Sequence, residues 1–376
     1  MLTIGVEEEF LLLVPDGAPA PAAPDLLRLT RDAAGPGQIK PELMTFQIEA
    51  VTGVCGHLHD VEDQLTRLRR TLREAGHAVG VRLVAAGSSP FVDPGLVMLT
   101  DVARYRRLAA GFPVATAAGG TCACHVHVGM DDRDLGVQVL NRLRPWLPTL
   151  LAMTGNSPHA NGTDTGWDSV RYCRQLSWPT FRPPPAVVDA HSYDRTVTRL
   201  MRRGVALDPR SVYFLARLSP RYPTLEVRVA DACLTVQDAV LLAGVVRGLV
   251  TTLAADVRLD RPSVAPAASG SLRRQLLAAA HHGLASATVS PGTAPSTPAS
   301  PAPTDPQLSR VVDAILPALE AADDAETVLP GLDRLQRLGT GAQQQRALKA
   351  ATRSRVAFVS ALADVTAPLS AVPAAR

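Results

Sequence analysis

Apolar residues run through Ile4-Gly5-Val6-Glu7-Glu8-Glu9-Phe10-Leu11 in the manner of a buried strand, yet three glutamates stand in the middle of it. In a strand Glu7 and Glu9 share one face, roughly 7 Å apart, while Val6, Glu8 and Phe10 share the other. Two carboxylates held side by side among apolar neighbours repel and lose hydration, so the pair calls for a cation, either a metal or an arginine. A solvated edge strand is the plain alternative. Glu8, on the opposite face, is expected to make a helix-side or solvent contact and to matter less when replaced.

The pattern downstream alternates between the two periods. Residues 39–52 are expected to be extended. Residues 61–79 carry Leu65, Leu68, Leu72 and Ala75 at spacings of three or four, which predicts an amphipathic helix. Strand returns over 81–87, helix around 105–110, strand over 123–129 and helix through 137–154. Residues 213–218 and 224–229 form a predicted hairpin across Ser219-Pro220-Arg221-Tyr222-Pro223. From residue 239 onward nearly everything reads as helix, except the Pro/Ser/Thr/Ala tract 288–306, which is expected to be a mobile loop within a single domain spanning 1–376. Separated strands followed by a helical final third predict an α+β fold with a mostly antiparallel sheet. No Gly-x-Gly-x-x-Gly or Gly-x-x-x-x-Gly-Lys loop is present, so any bound ATP would have its phosphates held by side chains and metals.

Composition narrows the classes. The chain has 376 residues, 46% of them hydrophobic, enough for a core without disulfides. Lys and Arg number 38 against 35 Asp and Glu, and a net charge of +3 is too near neutral for a dedicated nucleic-acid or membrane-surface protein. Five cysteines with no Cys-x-x-Cys pair, and a chain that starts on a strand pattern, suggest reduced thiols and a cytoplasmic location. The apolar stretch 239–257 is interrupted by Arg247 and Asp256 and is expected to be a buried helix.

Four strand-like segments carry metal-ligating groups where core residues belong: Glu7 and Glu9; Glu42 and Glu49; His125 and His127; Glu226. Carboxylates with one or two imidazoles suit Mg²⁺ or Mn²⁺ better than Zn²⁺. His125-Val126-His127 also fits a strand with one core and one exposed histidine, and Cys122-Ala123-Cys124 fits a strand of small residues. In 224–229, Glu226 and Arg228 share a face, either as a surface ion pair or as a metal ligand beside a cation that stabilises a phosphoryl group in transfer. In the loop 164–171, Arg171 could clamp a substrate carboxylate.

Together, Gly5-Val6-Glu7-Glu8-Glu9-Phe10, Glu42 with Gln47-x-Glu49 and Thr52, His125-Val126-His127-Val128-Gly129, Asp164-Thr165-Gly166 with Ser169-x-Arg171, and Thr224-Leu225-Glu226-Val227-Arg228-Val229-x-Asp231 resemble the bacterial glutamate–cysteine ligase type 2 family, also called YbdK-like carboxylate–amine ligases. The resemblance continues to Gly283-Leu284 and Gly339-Thr340-Gly341-Ala342-Gln343-Gln344-Gln345-Arg346 and so covers nearly the whole chain. It implies a curved antiparallel sheet like the glutamine synthetase catalytic domain, with helices on the convex side. It also implies ATP-dependent conversion of a carboxylate to an acyl phosphate, then attack by an amine, with glutamate and cysteine as the default amino-acid-like pair. Two or three Mg²⁺ ions would be held by Glu7, Glu9, Glu42, Glu49, His125 and Glu226. Arg228 would sit on the phosphate side, Arg171 at the acyl phosphate or substrate carboxylate, and Arg217 on the nucleotide side; a homodimer is also implied.

Three positions depart from the family pattern: Ser88-Ser89 replaces a Thr-His pair before Pro90-Phe91, Phe214-Leu215-Ala216 lacks the usual aromatics, and His281 replaces an arginine. These leave open an amide ligase of a specialised biosynthetic pathway with another acid and amine. A metal-dependent hydrolase and a silent binding protein are the competing classes. Glu9→Gln and Glu226→Gln are both expected to abolish phosphoryl transfer with little loss of folding, because each removes one of several crowded like charges.

Overall fold

A computed structural model of the chain describes residues 1–31, 33, 35–92, 95–262, 269–285 and 305–368. The seven-stranded sheet is antiparallel throughout, in the order β2 (Gln38–Pro41), β3 (Gln47–Val51), β1 (Ile4–Leu13), β5 (Cys124–Gly129), β9 (Thr224–Val227), β8 (Ala216–Leu218), with β4 (Arg82–Val84) pairing the end of β1. A separate two-stranded ribbon joins β6 (His159–Ala160) to β7 (Thr163–Asp164). The predicted hairpin is β8 and β9, shorter than the alternating pattern suggested because Arg228 and Val229 already leave the ladder. The fold is α+β, with helices making up the C-terminal third.

The face of β1 that carries Val6 and Glu8 lies against the helices Leu58–Ala78 and Val236–Arg258. The first presents Leu58, Val61, Leu65, Leu68 and Leu72 to the core at spacings of three and four, after a capping box between His57 and Asp60. The second is long and apolar enough to cross a membrane, but most of it is enclosed by protein. Its Arg247 is buried, pairs with Asp324 through Nε at 2.9 Å, and donates to the Gly56 carbonyl at 2.6 Å. The tract 288–306 lies outside the described residues except for Asp305 and Pro306, where Asp305 caps the helix Pro306–Glu320.

Glu8 makes a helix-side contact, the first of the two expected, but a buried ion pair gives it more to do than the expectation that replacing it matters less allows. It is 1% exposed and meets the equally buried Arg69 in a two-pronged ion pair, Nε to Oε2 at 2.9 Å and NH2 to Oε1 at 2.5 Å. Arg69 also donates to the carbonyls of Cys233, Leu234 and Thr366, so one guanidinium ties β1 to the segment after β9 and to the last described helix, Arg355–Thr366. A strand pattern identifies the face of Glu8 but not the arginine opposite, which comes from a helix 61 residues away.

Removing one partner of such a buried pair leaves the other charge without compensation. Glu8→Ala should cost about 3–5 kcal/mol in urea denaturation, whereas Glu8→Met combined with Arg69→Met should recover much of that loss. An unchanged midpoint in Glu8→Ala would show that the pair does not hold the sheet to its helices.

Candidate active site

Side chains directly opposite each other on neighbouring strands share a face, and the register collects the site from this rule alone. Glu9 stands opposite Glu49, Glu7 opposite His125, His127 opposite Glu226, and Glu226 opposite Arg217. Glu42 joins from the turn between β2 and β3, and Arg228 follows the end of β9. All six residues expected to bind metal therefore line one cleft of about 360 Å³, together with Arg217, Arg228, Tyr105 and Tyr213.

Within the cleft two groups offer three donor atoms each, all within 4.8 Å of one another: Glu7, His127 and Glu226, and Glu9, Glu42 and Glu49. His127 was absent from the expected ligands. Its Nδ1 is 2.8 Å from the Thr224 hydroxyl, while Nε2 is buried, lacks a hydrogen-bond partner and lies 3.6 Å from Glu7 Oε1. A side chain oriented through one ring nitrogen, with the other left among carboxylates, fits a metal ligand. The signal was present in the sequence, since residues two apart in a strand share a face. His125, opposite Glu7, has Nδ1 3.4 Å from Glu7 Oε2 and 3.3 Å from an Arg228 nitrogen. Both histidines are buried, so neither is the exposed member of a core pair.

The electrostatics divide the carboxylates. Burial, followed by the charge of Glu42, pushes Glu9 up to about 8. Burial raises Glu42 also, and with Glu7 and Glu42 nearby raises Glu49 well above the usual carboxylate range. All three carboxyls of this second group are thus pushed upward, and among the described residues Lys40 is the cation paired with it, reaching Glu49 only at 4.0 Å. Glu7 behaves differently: burial works against its charge, but the imidazoles of His125 and His127 beside it outweigh burial and hold it well below the usual carboxylate range. Burial and Arg228 press His125 down to about 4, leaving its imidazole neutral. Glu226 is buried, but Arg217 and then Arg228 hold it far below the ordinary range.

Arg217 grips Glu226 through Nε at 2.8 Å and NH2 at 3.0 Å, and gives NH1 to the carbonyls of Arg210 and Val212. This corrects the expectation for Glu226→Gln: neutralising Glu226 strands two arginines, whereas Glu9→Gln relieves repulsion. Arg171 is the second residue of the short helix Val170–Gln175 rather than part of a loop. It is buried beside an inner pocket of about 70 Å³ that also meets Glu9, Glu42, Trp178 and Phe181. Its Nε has no partner among the described residues. At the other end, Glu7 and His127 border a largely apolar cavity of about 730 Å³ walled by Ile4, Val51, Met130, Leu135 and Tyr222.

None of the positions that depart from the family pattern is among the residues lining the cleft. Ser88 and Ser89 are buried with unpartnered hydroxyls, Ser88 bridging to Thr121 of the inner pocket. Phe214 is packed in a small core cluster, and the His281 ring lies 4.4 Å from that of Trp167 at a tilt of 57°.

The model of glutamate-cysteine ligase family 2 matches residues 3–361. The chain belongs to this family. A relative named "Putative glutamate--cysteine ligase 2-1" from Saccharopolyspora erythraea is 40% identical over 92% of this chain and 89% of its own. One from Salinispora tropica, named "Putative glutamate--cysteine ligase 2", is 39% identical over 99% and 96%. Among solved structures, a glutamate–cysteine ligase from Francisella tularensis in complex with AMP aligns with a TM-score of 0.67 at 13% identity, over 98% of this chain and 89% of that one. A bifunctional glutathione synthetase from Pasteurella multocida aligns with a TM-score of 0.65 at 14% identity over 96% of this chain, which spans about half, 52%, of that protein. Those two likenesses establish the fold. As a member of glutamate-cysteine ligase family 2 the protein is an ATP-dependent carbon–nitrogen ligase that joins a carboxylate to an amine.

The proton balance gives a test on the metal-free protein. As pH rises past 6.5 the unfolded His125 gives up its proton and the folded one, held at about 4, is already neutral, while Glu9, with its pKa raised from 4.5 to about 8, still binds a proton only in the fold. The folded state then holds more protons than the unfolded one, so stability must fall as pH rises from 6.5 towards 8. Thermal melts in EDTA should show this fall, Glu49→Gln should reduce it, and Mg²⁺ should counter it most at the alkaline end. A flat profile in EDTA would contradict the buried acid group.

Proposed function

We propose that the protein activates a substrate carboxylate with ATP and Mg²⁺ as an acyl phosphate, then forms an amide or γ-peptide bond with an amine. The observation that carries this reading is the buried, unpartnered Nε2 of His127 between Glu7 and Glu226, beside a second group of three carboxylates. Five carboxylates and one or two imidazoles form a set for hard divalent ions, with Glu7, His127 and Glu226 at one site, His125 adjoining, and Glu9, Glu42 and Glu49 at the other. When bound, Mg²⁺ would supply charge to offset that building on the phosphoryl oxygens.

The shape of the cleft gives direction to the substrates. The 730 Å³ cavity next to Glu7 and His127 is large and apolar enough for a nucleoside, and the small pocket next to Glu9 and Arg171 suits a compact acid. Arg228 stands between them, in contact with Glu226 and close to His125, where the γ-phosphoryl group would pass from one to the other. A substrate carboxylate oxygen attacks the γ-phosphorus, and the bond to the β–γ bridging oxygen breaks to release ADP. Amine nitrogen then adds to the acyl carbon, phosphate leaves with the C–O bond, and the nitrogen loses a proton. Arg228 steadies the transferring group, Arg171 the acid, and Arg217 keeps Glu226 ionised and aimed. Glutamate and cysteine, the pair in the family's name, are the first pair to assay.

ADP release measured with MgATP and a panel of amino acids should require both an acid and an amine. Hydroxylamine in place of the amine should trap the acyl phosphate as a hydroxamate. Glu9→Gln should lower turnover by at least about 100-fold while melting no lower than the parent. Turnover that depends on zinc and proceeds without nucleotide would establish the hydrolase instead.

A further inference from the structure

Two sequence features have no part in the chemistry above: Asp231, four residues past the end of β9 at Val227, and the C-terminal run from Gly339 to Arg346. We propose that Asp231 and this run form a buried bracket whose purpose is to position Arg171 at the acid end of the cleft. The role assigned to Arg171 rests on the ligase reading, while the bracket itself is a matter of geometry.

Asp231 is fully buried, and its carboxylate accepts from the Ser157 hydroxyl at 2.6 Å, the Asn156 amide at 3.0 Å and the Ser169 hydroxyl at 2.7 Å. A serine hydroxyl has one proton, so both serines must turn their lone pairs away from Asp231. Those lone pairs accept the next two amides: Arg171 N–H on Ser157 Oγ at 3.0 Å, and Tyr172 N–H on Ser169 Oγ at 3.2 Å. Two relays thus run from one carboxylate to the first turn of the helix that carries Arg171. The guanidinium is set from the same side, with NH1 3.6 Å from Asp231 Oδ1 and donating to the Val229 carbonyl at 3.1 Å, and NH2 donating to the Arg228 carbonyl at 3.3 Å. These contacts engage both terminal nitrogens and leave Nε, in a residue that lines the inner pocket, without a partner among the described residues. Gly87 admits this carboxylate, since a Cβ there would lie 2.6 Å from Asp231 Oδ2.

The C-terminal run closes the bracket from outside. Gln345 Nε2 donates to the Asn156 carbonyl at 2.9 Å and to its Oδ1 at 2.7 Å, and the Ala342 amide donates to the Gly155 carbonyl at 2.8 Å. The Asn156 side chain, held in this way, donates to the carbonyls of Ala85 and Ala232, on either side of Asp231. Arg346 fixes the approach to Ser169 through the Trp167 carbonyl at 2.9 Å and Asp164 Oδ2 at 2.8 Å. Gln345, far beyond Arg171 in sequence, is therefore joined to the Arg171 amide by a chain of four hydrogen bonds, through Asn156, Asp231 and Ser157.

The test uses the full-length chain, comparing Ser157→Ala/Ser169→Ala and Gln345→Ala with the parent. Glutamate is the acid probe, and hydrogen exchange is followed over residues 169–176. The bracket predicts that KM for glutamate rises roughly tenfold or more in the double variant, with KM for MgATP within about twofold, because displacement of a substrate-positioning group is costly while the metal carboxylates are untouched. Exchange over 169–176 should quicken in both variants. Ser157→Thr, which keeps the hydroxyl, should behave as the parent, and adding Arg171→Lys to the double variant should cause little further loss. Folded variants with unchanged exchange, or with both KM values moving together, would overturn the proposal. If the parent releases no ADP with glutamate, that choice of acid fails, and exchange alone decides the bracket: unaltered protection refutes it.

Discussion

Everything in this cleft depends on the cost of crowding carboxylates onto one face of an antiparallel sheet. Glu9, Glu42 and Glu49 are desolvated together, and among the described residues no arginine is salt-bridged to them, so burial pushes all three carboxyls above the usual range. A protein selected only for stability would place apolar side chains there. On the proposed reading, divalent ions bound there would offset the cost, and a buried acid group that is costly to the fold is the kind of feature that marks a functional site.

The neighbouring group settles the same difficulty in another way. Glu226 is balanced by Arg217 and Arg228, and Glu7 lies beside the imidazoles of His125 and His127. One half of the cleft is thus electrostatically satisfied before any ligand arrives, and the other is not. The open ends follow this division, with the large apolar cavity beside Glu7 and His127 and the small polar pocket beside Glu9 and Arg171. On the reverse of β1 the Glu8–Arg69 pair fastens the strand to its helices, so that adjacent glutamates in one strand serve different ends.

Much of the fold was readable because its strands obey a period of two and its outer helices a period of three or four. The alternation around Glu7, Glu9 and Glu226 identified their faces, and the antiparallel hairpin around residues 219–223 followed from its turn residues. The shortened strands were not readable, since Arg228 and Val229 continue the alternation but leave the ladder to meet Leu215 and Arg171. Nor was His127 separated from His125 as a ligand, because both lie on the same face and only their distances to Glu7 and Glu226 differ.

The sequence by itself determined which side chains could share a face, that acidic groups would gather there, and the class of chemistry such a gathering serves. Tertiary structure alone decided the partners: Arg69 for Glu8, Arg217 for Glu226, and Asp231 with the C-terminal run for Arg171. The physical reason is range. Periodicity is set by local backbone geometry within a few residues, whereas a buried charge is satisfied by whichever group the packing brings within hydrogen-bond distance, and that group can come from anywhere in the chain.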